Sequence, residues 1–84
     1  MFLRVRSVRH LQACELRLEF SDGAVKDVDL SSELYGPVFE PLRDPAFFRQ
    51  VRVNEETNTI EWPNGADFAP EFLYEAGKPA RQVA

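Results

Sequence analysis

The sequence predicts an α+β domain: an antiparallel sheet of about five strands, built from two hairpins plus an N-terminal strand, with two or three short helices. Three observations predict it. The run Cys14 to Phe20 alternates apolar and polar residues and ends at Ser21-Asp22-Gly23. A second pair of short strand-like runs flanks Glu55 to Asn58. Two segments, at Asp44-Pro45 and at Pro70, carry helix-start chemistry.

The first strand is Leu3 to Arg9. Its apolar phase shifts between Val5 and Val8, which predicts a bulge or an early end. The second and third strands form a hairpin whose register follows from its side chains. A two-residue Asp22-Gly23 turn would set Leu18 against Asp27 and Leu16 against Asp29. A three-residue loop Ser21-Asp22-Gly23, with Gly23 left-handed, instead sets Phe20 against Ala24, Leu16 against Val28 and Cys14 against Leu30. On the other face it sets Arg17 against Asp27. Lys26 opposite Leu18 is the one misfit, and its aliphatic stem can cover the leucine at a strand edge.

Short turns follow. Ser31 to Leu34 reads as one helical turn capped by Ser31, and Gly36-Pro37 starts another that Pro41 stops. Asp44 as N-cap and Pro45 as first residue open a helix over Pro45 to Gln50, which turns Phe47 or Phe48 inward with Val51. In the second hairpin Val51 and Val53 align with Trp62 and Ile60, and Arg52 with Glu61, if the loop is Glu55 to Asn58. Both hairpins are assigned to a single half-buried sheet. Trp62-Pro63-Asn64-Gly65 is a tight turn. Pro70 to Ala76 is a helix stopped at Gly77, with Phe72, Leu73 and Ala76 as its apolar stripe. Residues 1–76 form one domain, and residues 77–84 are expected to be a flexible tail.

At 84 residues the chain has room for a single core, and it buries only about 60–65% of its extended surface on folding. Ten basic against fourteen acidic residues give a net charge of −4, which disfavours nucleic acid and anionic membrane as partners and suits a basic one. One Cys forbids an internal disulfide, and no apolar run reaches the ~20 residues of a membrane span. The expected setting is cytoplasmic.

Little in the chain supports catalysis. His10 and Cys14 are the only histidine and thiol; a Cys–His dyad between them is outweighed by Cys14 as a small core residue. Asp22, Asp27 and Asp29 lack calcium-loop spacing, and no cofactor or metal motif is present. Arg4, Arg6 and Arg9 form a local basic patch, read chiefly as a solvated strand edge beside Glu15 and Glu19 and alternatively as a nucleic-acid contact. Trp62, Asn64, Asp67, Glu71 and Tyr74 form the richest polar grouping, a candidate recognition patch. For Asp67 and Glu71, capping and dipole roles at the helix opened by Pro70 compete with recognition.

The chain resembles the bacterial family known as domain of unknown function 2442. The resemblance spans about Val5 to Tyr74. It rests on Leu16, Leu18, Phe20, Asp22 and Gly23, on Asp29-Leu30, on Leu42, Asp44 and Phe48, and on Ile60, Trp62, Gly65, Asp67, Phe68, Pro70, Glu71, Leu73 and Tyr74. It implies a small α+β fold similar to the NE0471 N-terminal domain-like fold and an uncharacterised role. It also implies a genetic arrangement similar to toxin–antitoxin pairs. The expected function is therefore a non-catalytic protein-interaction module, the partner or antitoxin-like neutraliser of a small co-encoded protein. A homodimer through an open sheet edge is compatible with the sequence.

Overall fold

The computed structural model describes residues 3–80. Six strands and two helices follow one another, interrupted by 3-10 turns at Ser31–Glu33 and Glu40–Arg43. They are β1 (Val5–His10), β2 (Glu15–Phe20), β3 (Val25–Asp29), α1 (Pro45–Phe48), β4 (Arg52–Asn54), β5 (Thr59–Glu61), α2 (Pro70–Ala76) and β6 (Lys78–Pro79).

The α+β class and the antiparallel pairing are as expected, but the strands divide between two sheets. One has four strands in the order β1-β2-β3-β6, and the other is the β4-β5 hairpin. Three-residue strands carry too little alternation to specify which sheet they join, so the single-sheet expectation is corrected here. The expected tail is also corrected in part: Lys78 and Pro79 pair with Asp27 and Lys26 of β3, and Ala80 N–H donates to the Val25 carbonyl at 3.0 Å. Residues 81–84 lie outside the described residues.

The first hairpin has the register its side chains dictate. Leu16 faces Val28, Arg17 faces Asp27 and Leu18 faces Lys26, with Gly23 at φ +90°. Arg17 grips Asp27 through a two-pronged contact, Nε–Oδ1 at 2.8 Å and Nη2–Oδ2 at 3.1 Å. The predicted irregularity in β1 is a register shift between Val5 and Ser7. In the second hairpin Arg52 faces Glu61 and Val53 faces Ile60 around the 55–58 loop.

Two loops share one construction. Gly23 N–H donates to Phe20 O and Phe20 N–H to Ala24 O; likewise Gly65 N–H donates to Trp62 O and Trp62 N–H to Ala66 O, all at 2.9 Å. Gly65 has φ +88°, so each is a type I turn closed by a left-handed glycine. The Asx residue before each glycine secures the loop: Asp22 Oδ1 accepts from Ala24 N–H at 2.9 Å and Asn64 Oδ1 from Ala66 N–H at 3.1 Å. This second turn lets Asp67 bridge back to Glu61, which extends the β4-β5 sheet.

Between the hairpins, Asp44 Oδ1 caps α1 through Ala46 N–H at 3.0 Å. The helix ends at Phe48, earlier than Gln50, and it is Phe48 that is buried. Ser31 does not cap its turn; Asp29 Oδ1 accepts from Ser31 N–H instead, at 2.9 Å. Pro41 lies in the first turn of Glu40–Arg43, where its missing N–H is no loss, so it opens that turn and does not stop the preceding one. The core comprises Val5, Leu16, Leu18, Phe20, Val28, Leu30, Leu34, Leu42, Phe48, Ile60, Trp62, Ala66 and Leu73. Among the described residues, no helix is long and apolar enough to cross a membrane.

Candidate interaction surface

The structure divides the sequence-derived recognition patch by depth. Trp62 is fully buried, its ring lies 5.5 Å from Phe48 and 5.9 Å from Phe68, and its Nε1–H donates to the Phe48 carbonyl at 2.9 Å. It is a core residue with a satisfied donor, which removes it from any surface contact. Asn64 is exposed but engaged, since its Nδ2 donates to the Val38 carbonyl at 2.8 Å. Asp67 does not cap α2; the cap position is Ala69, without a side-chain hydrogen bond. Asp67 and Glu71 stay exposed.

Tyr74 belongs to a clamp that holds α2 on the first hairpin. Its hydroxyl donates to Asp22 Oδ2 at 2.6 Å, and its ring meets Phe20 edge-on at 5.0 Å. Lys26 Nζ donates to the Tyr74 carbonyl at 2.7 Å and lies 3.6 Å from the ring centroid. This explains the one apparent misfit in the hairpin register: Lys26 faces inward because α2 supplies it with an acceptor and an aromatic face.

The Tyr74 hydroxyl, followed by the Ala24 amide, holds Asp22 below the ordinary carboxylate range. A carboxyl depressed in the folded state adds stability above its unfolded pKa, and that stability is lost as pH falls through the folded value. The stability gap between wild type and Tyr74→Phe is therefore expected to be widest near neutrality. It should narrow below about pH 4, as Asp22 protonates. Thermal melts of both proteins between acid and neutral pH check this; a gap independent of pH would contradict the clamp.

Other sequence-derived candidates separate. Arg4 and Arg6 are exposed and line one open cavity of about 750 Å³ with Ser21, Val53, Glu55 and Asn58. Arg9 lines a different cavity of similar volume, on the outer face of the four-stranded sheet, with Arg17, Asp27, Asp29 and Lys78. Arg6 itself sits at the β1 bulge, and Arg9 lines a cavity that Arg4 and Arg6 do not. The expected neutralising contacts also differ: Glu19 meets Ser7 Oγ at 3.4 Å and Glu15 meets Gln12 Nε2 at 3.1 Å.

His10 and Cys14 are occupied separately. His10 Nε2 lies 2.9 Å from the Ala13 carbonyl and its ring sits edge-on against Phe48 at 5.7 Å. Burial, then the charge of Asp29, pushes the Cys14 thiol above its ordinary pKa, the opposite of what a nucleophile needs. Among the described residues, no three His, Cys, Asp or Glu side chains group as metal ligands.

A surface feature that the sequence does not reveal joins the Val38–Phe39 turn to Phe68 and Phe72. Phe39 and Phe68 lie 5.0 Å apart, and Phe68 stacks on Phe72 at 5.6 Å with an interplanar angle of 19°. Phe72 is 36% exposed and Val38 49%, while Phe39 and Phe68 are half-buried. The Asn64–Val38 hydrogen bond ties Val38 and Phe39 to the Trp62 turn. The Thr59 hydroxyl donates to the Phe68 carbonyl, and Asp67 pairs with Glu61, which fixes Phe68 over the Trp62 ring. The 36–39 turn, the segment before α2 and α2 itself thus present an apolar ridge, Val38–Phe39–Phe68–Phe72, to solvent. The sequence reading placed Phe72 and Ala76 in the core stripe of α2. Both are exposed, because a seven-residue helix lying on one hairpin buries Leu73, half-buries Pro70 and Tyr74, and leaves the rest to solvent.

The family described as "Protein of unknown function (DUF2442)" matches residues 5–79. No protein of curated function matches the chain. The fold is similar to that in the crystal structure of NE0471 from Nitrosomonas europaea, described as a "Putative DNA Binding Protein". The TM-score is 0.81 at 29% identity, over 93% of this chain and 50% of that one. The chain thus spans about half the length of that relative. With nearly all its length matched, the chain belongs to the DUF2442 family of proteins of unknown function.

Proposed function

We propose that this chain is a non-catalytic protein-interaction module that docks a partner on the Val38–Phe39–Phe68–Phe72 ridge. The observation that carries the reading is the stacked pair Phe68–Phe72 at the surface of so small a domain. A chain short of core normally buries its phenylalanines, and solvent-facing aromatics are what interface hot spots are made of. The occupied His10 and the insulated Cys14 fit a protein without chemistry of its own. The partner is a small co-encoded cytoplasmic protein that this module neutralises, in the manner of an antitoxin.

Capture from the native host on the tagged chain, read by mass spectrometry, tests the reading. A stoichiometric protein partner is expected, and repeated recovery of the chain alone would refute it. A second reading, nucleic-acid binding, is favoured by the description of NE0471 and by Arg4 and Arg6 sharing one cavity. It requires mobility shifts of mixed DNA or RNA at about 50 mM salt that vanish as salt rises, and the absence of any shift excludes it.

A further inference from the structure

We infer that the ridge takes a basic, apolar-faced segment of a partner protein, with the aromatic stack seating its apolar side chains and a carboxylate rim taking its lysines or arginines. This rests on the docking role proposed above and adds the chemistry of the partner. The argument is one of charge placement. Every ridge phenylalanine is next in sequence to an exposed carboxylate: Phe39 to Glu40, Phe68 to Asp67, and Phe72 to Glu71. Glu75, also exposed, follows Glu71 by one helical turn on the same face of α2.

The two chain segments that carry the ridge hold no cation of their own, and Arg43, which follows the first of them, donates its Nε–H to the Leu34 carbonyl at 2.7 Å. From Val53 to Gly77 there is no Lys or Arg, yet that stretch holds six of the fourteen acidic residues; from Tyr35 to Leu42 there is again no Lys or Arg. Arg52 and Lys78 stand just outside the first stretch, Arg52 paired with Glu61 at 2.8 Å and Lys78 on β6. The net charge of −4 is therefore unevenly spread, with the negative excess on the segments that carry the aromatics.

The same placement argues against two other occupants. A second copy docking symmetrically would press this rim against itself, carboxylate to carboxylate. A phosphate backbone would meet the same repulsion. A cationic segment meets attraction at the rim and an apolar seat at the centre, the usual division between a dry core and a charged margin in an interface.

Two synthetic amphipathic peptides of about 14 residues, one of leucine and lysine and one of leucine and glutamate, provide the probes. Titrated into the isotopically labelled chain, the lysine peptide is expected to shift the backbone amide signals of residues 35–40 and 67–75, and the glutamate peptide to shift none. The triple variant Asp67→Asn, Glu71→Gln, Glu75→Gln keeps the ridge and removes rim charge. Its affinity for the lysine peptide is expected to fall about ten-fold, as three weak exposed ion pairs allow, and raised salt should produce a similar loss. Equal binding of both peptides, shifts mapping elsewhere, or an unchanged triple variant would overturn the inference. The failures are distinguishable. A host partner that binds the triple variant as well as wild type would leave the docking role standing and remove the basic-partner assignment. A lysine peptide mapping to the ridge, without any host partner, would do the reverse.

Discussion

Replacing Trp62 with Ala is expected to cost about 3–5 kcal/mol, the range for deleting a large buried aromatic. That is a large share of the stability of a domain this small, about 4–13 kcal/mol at typical values per residue. Two losses combine. The fully buried indole leaves a cavity between Phe48 and Phe68, and the Phe48 carbonyl loses the donor 2.9 Å away. Trp62→Phe separates them. It keeps most of the packing and orphans the carbonyl, so about 1–3 kcal/mol is expected from that variant. Denaturant titration followed by far-ultraviolet circular dichroism measures both, since Trp62 is the only tryptophan and its fluorescence vanishes with it. A Trp62→Ala protein within 1 kcal/mol of wild type, about the loss of one buried methylene, would contradict its place in the core.

The second large effect is expected at Gly77. Its φ of −74° suits any residue, so backbone strain is not the issue. A Cβ there would lie 2.9 Å from Lys26 Cβ, 3.0 Å from the Leu73 carbonyl oxygen and 3.0 Å from Val28 Cγ2. Two of these neighbours are fixed by the sheet and the third is helix backbone, so none can move cheaply. Gly77→Ala should therefore lift the end of α2 away from β3 at a cost of about 1–3 kcal/mol. The Lys26–Tyr74 contact and the β3-β6 pairing lie on either side of the clash. Hydrogen exchange at Ala80, whose amide bonds Val25, is expected to accelerate along with the fall in denaturation midpoint. An unchanged midpoint would mean that α2 sits looser on β3 than these distances say.

The hairpins were legible because two local signals agree there: period-two alternation fixes the faces, and an Asx-Gly turn fixes the register. At Phe20–Ala24 both are strong, and Arg17 opposite Asp27 follows. β6 was not legible. Lys78-Pro79 has no alternation and includes the residue least suited to a ladder, and it pairs only because Gly77 allows α2 to pass close to β3. The division into two sheets is likewise a tertiary outcome.

At the site, sequence alone found the right neighbourhood and the wrong side chains. Trp62 reads as a recognition residue because it sits in a polar motif, whereas burial and the Phe48 carbonyl claim it. Asp67 reads as a cap because it precedes a helix, yet its backbone is drawn into the β5 pairing and Ala69 occupies the cap. Phe72 reads as core because it is apolar on a helix. Only the position of α2 on the hairpin decides that Leu73 goes inward while Phe72 stacks outward on Phe68.

The docking role is tested most directly by capture from the native host with wild type and Phe72→Asp side by side. Phe72 is partly exposed and lies outside the buried core, so the variant should fold, with a melting temperature close to that of wild type. The account predicts a stoichiometric protein partner on the wild-type chain, reduced at least about ten-fold on Phe72→Asp, the effect of losing one hot-spot contact. Equal recovery of the same partner on a folded Phe72→Asp would contradict the ridge as the docking face.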